Sequence, residues 1–323
     1  MFVLREFIKK TMILIMWYPI RIVIRFLPLT WVSILGVLGG RILYLISREK
    51  RKTMREEFKI VFPNKSPNEI KEIIKGSFVN YCVSEIEVLL YPFMNRALME
   101  KMIKLLGKEN LDNALAVGKG VLLFQAHFGA FQMVMPAIGY SGYSMNQISA
   151  SASIWKEGIS SRIQKRGFDI KSKHEYTLPV NHLSIQSSLR PVFRALERNE
   201  IVGITVDGGG GKKTVSIRFL GREANFQQGG VDLALRTGAM IIPAFIITEK
   251  GLKHRLIIHP ALKIDTGKDK EEMIKGLLQE FASLFEWYIQ EYPNHYGYTL
   301  CLRRSRASVD TYPFFQDHLK VTP

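Results

Sequence analysis

The chain has 323 residues, 47% of them hydrophobic, enough to build a substantial core and to exclude a largely disordered protein. Lysine and arginine outnumber aspartate and glutamate by 45 to 29, a formal net charge of +16 at pH 7. Such a charge calls for an anionic partner: nucleic acid, a phosphate-bearing substrate or an acidic membrane surface. The two cysteines, Cys82 and Cys301, form no Cys-x-x-Cys pair, which excludes a zinc ribbon or a dithiol redox centre.

Residues 11–47 are mostly apolar. A first run, Met12 to Ile24, carries Arg21. A second, Leu27 to Ile46, is 20 residues long with one charge, Arg41, near its end where it can snorkel. That length suits a bilayer, although the glycines at 36, 39 and 40 weaken a simple helix. The region is too long for a cleaved signal peptide, and no small-residue cleavage site follows it. A single span and a helix pair lying in one leaflet fit equally well. Arg48, Lys50, Arg51, Lys52, Arg55 and Lys59 come next, a cluster suited to anionic headgroups on a cytoplasmic surface. Apolar run and basic cluster together favour a membrane over nucleic acid, for which no recognised DNA motif or aromatic reading surface is present. The expected division is an anchor over 1–47, a main domain over 48–310 and a tail over 311–323.

Ser66, Pro67 and Glu69 read as a capping box with proline at the first helical position. Ile70, Ile73, Ile74 and Phe78 then share one face of a helix running to about Leu90. Val121 to Phe124, Ile201 to Val206 and Met240 to Ile247 (which holds Pro243) are short apolar runs that predict buried strands. Helical stretches lie between them, among them Leu189–Arg198 and Val231–Thr237. Thr214 to Phe219 alternates like a half-exposed strand, and Glu271 to Tyr292 has helical spacing. The alternation predicts an α/β fold, a mixed, partly parallel central sheet flanked by helices, after an N-terminal membrane-associated helical segment.

Ligands of such sheets collect beyond the carboxyl ends of strands, where both His127 and Asp207 fall. An imidazole there, followed by Gly129, can take a proton from an alcohol near neutral pH. A lone histidine is more often structural; its place at a strand end argues otherwise. Asp207 precedes glycines 208–211, so a turn-capping role competes with a functional one. Gly211-Lys212-Lys213-Thr214 lacks the spacing of a phosphate-binding P-loop, and no Gly-x-Ser-x-Gly elbow is present. His174, His182, His254, His259 and His295 show no metal-ligand spacing and read as structural or surface residues. No metal and no cofactor is expected. Lys212, Lys213, Arg218 and Arg222 are candidates for a phosphate on the acceptor or the acyl carrier, weighed against ordinary solvated charges; Arg236, on a predicted helix, is a further substrate-binding candidate.

His127-Phe128-Gly129 with Gln132 resembles the His-x4-Asp/Glu motif of the glycerolipid acyltransferases. More narrowly, the chain resembles the late acyltransferases of lipid A biosynthesis and their mannoside-acylating relatives. Further matching segments, in order, are Leu27 to Pro63, Asp207 with its glycines, Phe219-Leu220-Gly221-Arg222, Leu233 to Ala239 and Ile242 to Phe245. The resemblance spans roughly 27 to 305. It implies transfer of a fatty acyl chain from acyl carrier protein or coenzyme A to a hydroxyl of a lipid A-like glycolipid or other membrane lipid. The place would be the cytoplasmic side of the inner membrane, with the enzyme a monomer. His127 would be the base; backbone amides near it, such as that of Gly129, or around Gly208–Gly211 could hold the oxyanion. Three departures stand out. Gln132 replaces the motif's acid, so its carbonyl would orient the imidazole without charge, unless a carboxylate such as Asp207 substitutes. The family's arginine between the first two strands is missing around Ser151 to Trp155, leaving Arg162 and Arg166. The C-terminal tryptophan–histidine–arginine pattern appears as Asn294 to Tyr298 with Arg303-Arg304. A catalytically silent acyl-lipid binder or scaffold with the same fold is the alternative.

Overall fold

The computed structural model describes residues 2–149, 161–184, 188–208, 213–265, 267–307 and 313–321. Helices Phe2–Ile15 and Leu29–Ile46 bracket a stretch of shorter helical turns in which Pro19, lacking an N–H, interrupts the backbone ladder. The glycines at 36 and 40 do not weaken the Leu29–Ile46 helix as the sequence suggested; they form its packing face. A Cβ at Gly40 would sit 2.5 Å from Val79 Cα, so only glycine lets this helix approach the Pro67–Glu87 helix so closely. The opposite face leaves Trp31, Ile34, Leu38, Ile42 and Leu45 exposed. At 18 residues the helix is long and apolar enough to cross a membrane, by length and composition.

The Arg48–Val61 helix follows after one residue. Arg51 turns back to donate to the carbonyls of Tyr44 and of Leu45 (2.8 Å for the latter), satisfying acceptors that a helix end leaves open. Arg48, Lys52, Arg55 and Lys59 lie along one exposed stripe. The Pro67–Glu87 helix begins with the capping box read from sequence: Ser66 N donates to Glu69 Oε2 at 2.8 Å and Glu69 N to Ser66 Oγ at 3.3 Å.

Among the described residues nine strands follow: β1 (Ile103–Leu106), β2 (Val121–Gln125), β3 (Met145–Ser149), β4 (Val180–Ser184), β5 (Ile201–Thr205), β6 (Thr214–Phe219), β7 (Arg222–Gln227), β8 (Met240–Lys250) and β9 (Lys253–Ile258). Seven form one sheet in the order β1-β9-β8-β2-β5-β3-β4, parallel except for the β8–β9 pair; β6 and β7 make a separate antiparallel ribbon. Pro243 is tolerated inside β8 because the strand changes partners there. It pairs with β2 up to Pro243 and with β9 from Ala244.

The central strands β2, β5 and β8 are buried on both faces over most of their length, as their near-continuous apolar sequences require. Leu122 and Phe124 of β2 enter one core with Phe281, Phe285 and Tyr288 of the Lys270–Glu291 helix. Val121 and Leu123 enter the other, which also takes in Trp17, Ile24 and Val32 from the N-terminal segment. Phe314 and Phe315, from the expected tail, join the first core. Both ends of the described chain therefore pack on the central body.

Candidate active site

Strands β2 and β5 are parallel neighbours in register, with Gln125 opposite Thr205. Two residues beyond each strand end the same register sets His127 opposite Asp207. The Asp207 carboxylate bridges the gap: Oδ1 accepts from the His127 backbone N–H at 3.0 Å and faces the imidazole Nδ1 at 2.9 Å. A carboxylate only accepts, so Nδ1 carries the proton and Nε2 keeps its lone pair. Among the described residues Nε2 has no hydrogen-bond partner, and the side chain is 28% exposed. Phe131 packs edge-on against the ring at 4.9 Å, and Thr299 Oγ1 donates to the His127 carbonyl at 2.8 Å.

Asp207 itself is wholly buried. Tyr296 donates its phenol to Oδ2 at 3.1 Å, and Arg303 Nη2 lies 3.8 Å from the same oxygen while donating to the Asp207 carbonyl. Burial pushes the carboxyl up, but the charge and hydrogen bonds of His127 and the charge of Arg303 outweigh it, holding the group below the ordinary aspartate value. The Tyr296 phenol is pushed well above its usual value by burial and then by Asp207. Arg303 Nη2 is also 3.5 Å from His127 Nδ1. Both atoms are donors once Nδ1 faces the carboxylate, so this is proximity and not a hydrogen bond. Phe314 closes the outer side of Arg303, its ring centroid 5.2 Å from the guanidinium.

The loop after His127 is drawn tight. Phe128 N donates to Ala126 O at 2.7 Å and Gly129 N to His295 O at 3.1 Å. Gly129 has φ +58°, and a Cβ there would lie 2.3 Å from the Ile246 carbonyl oxygen. Its amide is committed to His295, so the oxyanion role expected of Gly129 is not open to it. Gly208 stays a candidate, since a Cβ built on it would stand 3.9 Å from His127 Cε1. His295 stacks on Phe128 at 5.2 Å and accepts from Thr248 N at 2.9 Å. Burial, aided by the His254 charge, brings its pKa down to about 4, so it is neutral.

The remaining sequence candidates are dispersed. Gln132 does not orient the imidazole through its carbonyl, as expected; its amide donates to Glu85 Oε1 at 3.0 Å and to Ser84 Oγ at 3.4 Å. The imidazole partner is the aspartate one strand away. Arg222 does not face a substrate phosphate. It is buried with Glu57 at 2.8 Å and stacked on Phe315 at 3.7 Å, because an unpaired guanidinium in that core would be costly. Arg236 is exposed at the end of the Gly229–Thr237 helix, next to the Gly238 turn that abuts Lys119, at the amino ends of β2 and β8 and so at the opposite end of these strands from His127. Arg218 is exposed on β6, its backbone bonded to Gln279. Arg162 is exposed at the start of the Arg162–Glu175 helix, with Arg166 also exposed. Lys212, Gly209 to Gly211 and the Ser151 to Trp155 segment lie outside the described residues. Sequence reasoning did not assign roles to Phe131, Tyr296, Thr299, Arg303 or Glu85. Only the 294–304 segment carried a signal, its altered C-terminal pattern.

Residues 4–302 match the family model described as bacterial lipid A biosynthesis acyltransferase. Among solved structures the chain is similar to the 1-acyl-sn-glycerophosphate (LPA) acyltransferase PlsC from Thermotoga maritima. The identity is 13%, over 81% of this chain and 98% of that one, with a TM-score of 0.36, a likeness too loose to carry an argument. No curated protein matches the chain.

Proposed function

The chain belongs to the bacterial lipid A biosynthesis acyltransferase family, an acyltransferase acting on lipids, and from that premise we propose a specific reaction for it. A fatty acyl chain passes from a thioester of acyl carrier protein or coenzyme A to a hydroxyl of a lipid A-like glycolipid or other membrane lipid. His127 Nε2 takes the hydroxyl proton while the acceptor oxygen attacks the thioester carbonyl. The tetrahedral intermediate then expels the thiolate, which recovers that proton from the imidazolium. Asp207 fixes the tautomer and stabilises the imidazolium, with Tyr296 and Arg303 holding the carboxylate ionised. General base catalysis of this kind contributes about 10²- to 10⁴-fold. Among the described residues, Gly208 is the remaining amide candidate for the oxyanion.

One observation carries the reading: an imidazole with Nδ1 bound to a buried carboxylate and Nε2 left free at a strand end. It also weakens the silent-scaffold alternative, whose motive was the missing acid at position 132. The exposed apolar face of Leu29–Ile46 and the basic stripe from Arg48 to Lys59 support an anchoring role for residues 1–47 at an anionic cytoplasmic leaflet of the inner membrane. We propose 48–310 as the catalytic domain, acting as a monomer, with Phe314 and Phe315 of the following tail packed against it.

Purified protein in mixed micelles, given either acyl thioester and a set of glycolipid and glycerolipid acceptors, tests this. Turnover lost in His127→Ala supports it. Turnover unchanged in that variant removes His127 as the base, and acyl-lipid binding with no turnover from either donor favours the scaffold.

A further inference from the structure

Glu85 lies where three segments meet, one of them the turn that carries Phe131 to His127. It is carried by the Pro67–Glu87 helix and accepts from Gln132 Nε2 at 3.0 Å. Lys171, on the Arg162–Glu175 helix, approaches its two oxygens at 3.3 and 3.5 Å. Gln132 is buried, whereas the Glu85 and Lys171 side chains are about one-fifth exposed, at 22% and 20%. The three-residue turn Phe131–Met133 is thus pinned twice: by Glu85 through the Gln132 side chain, and by Tyr91 Oη, which donates to the Gln132 carbonyl at 2.7 Å. The turn in question presents the Phe131 ring to the His127 imidazole. Asp207 fixes the imidazole at Nδ1; the aromatic edge fixes its inclination.

We infer that Glu85 is a positioning residue for acyl transfer, holding Gln132 and, through Phe131, the attitude of the His127 ring. The inference rests on the assignment of His127 as the base. It makes position 132 a donor site by necessity. The side chain there faces a carboxylate that can only accept, so an amide fits and an acid does not. A glutamate at 132 would set two carboxylates about 3 Å apart in a largely buried place, with Lys171 on the Glu85 side alone, repelling one another and releasing the turn.

The test compares wild type with Gln132→Glu, Glu85→Gln and the double exchange, as full chains in mixed micelles, each with its melting temperature. Gln132→Glu is expected to lower kcat about 10- to 100-fold with little change in KM, as for a small misplacement of a catalytic group. The double exchange restores the carboxylate–amide bond with its polarity reversed, and returns kcat to within about threefold of wild type. A merely structural role would move melting temperature and leave the kcat of the folded enzyme alone. Should the double exchange not fold, Glu85→Asp decides. It keeps the charge near Lys171 but falls short of Gln132, so kcat drops; an unchanged kcat overturns the inference. So does a Gln132→Glu enzyme as active as wild type, or a folded double exchange no better than Gln132→Glu. His127→Ala in the same assay separates the two claims. If it is dead while Gln132→Glu is fully active, only the role of Glu85 falls; if it still turns over, the base assignment falls first.

Discussion

Replacing Asp207 by asparagine keeps the shape of the side chain and removes its charge. The imidazole Nδ1 stands 2.9 Å from Oδ1, and the centre of the cationic ring is about 4 Å from the carboxylate charge. With an effective dielectric of about 20, that pair is worth roughly 4 kcal/mol in the state where the imidazole is protonated. At about 1.4 kcal/mol per decade the loss approaches 10³-fold in kcat. A second effect adds to it. The asparagine amide can donate to Nδ1, which moves the ring proton to Nε2 and leaves no lone pair for the acceptor hydroxyl. The assay is steady-state acyl transfer with saturating thioester, product measured by mass, on protein whose far-UV circular dichroism matches wild type. KM for the thioester should change little, since the carboxylate is wholly buried. An Asp207→Asn enzyme within a few-fold of wild-type kcat would refute the dyad, whatever happens in His127→Ala.

His295 is neutral in the folded protein, with a pKa of about 4 against an ordinary 6.5. The unfolded chain therefore binds the extra proton between those values, so stability is full above pH 6.5 and declines as pH falls toward 4, by about 3 kcal/mol at most. Urea melts at pH 7 and pH 5 check the slope, and His295→Phe should flatten it. Arg222→Ala leaves Glu57 buried without its closest cation, at a cost of about 3–5 kcal/mol. It should lower the melting temperature steeply while leaving the KM of the surviving enzyme alone; a raised KM with unchanged stability would return Arg222 to substrate binding. Neutralising Arg48, Lys52, Arg55 and Lys59 together should weaken binding to vesicles rich in anionic lipid by about 1 kcal/mol per residue at low salt. Equal binding before and after would remove the basic stripe from the membrane contact.

The parts of the fold visible in the sequence were those with a local physical signature. Val121–Phe124 and Ile201–Val206 announced themselves as doubly buried parallel strands, and the residues just past them were the right ones to watch. Ser66-Pro67-Glu69 specified a helix start through contacts within one turn. What escaped detection depends on distance along the chain. Gly36 and Gly40 looked like helix breakers because their partner helix lies some forty residues away. Arg222 looked like a phosphate ligand because Glu57, which neutralises it, is 165 positions earlier. Asp207 was legible as a substitute carboxylate for the imidazole, but Gln132 still looked like a defective acid because Glu85, which takes its amide, lies 47 positions earlier.

Asp207 also imposes an order of events on biosynthesis. Its hydroxyl and guanidinium partners, Tyr296 and Arg303, are translated about 90 residues later, a delay of roughly 5–20 s at ordinary elongation speeds. The apolar N-terminal helices are made first and can reach a bilayer long before then. A nascent chain moored there by the proposed anchor would hold a histidine beside a carboxylate with half its shell missing, and so would stay idle until Tyr296 and Arg303 arrived.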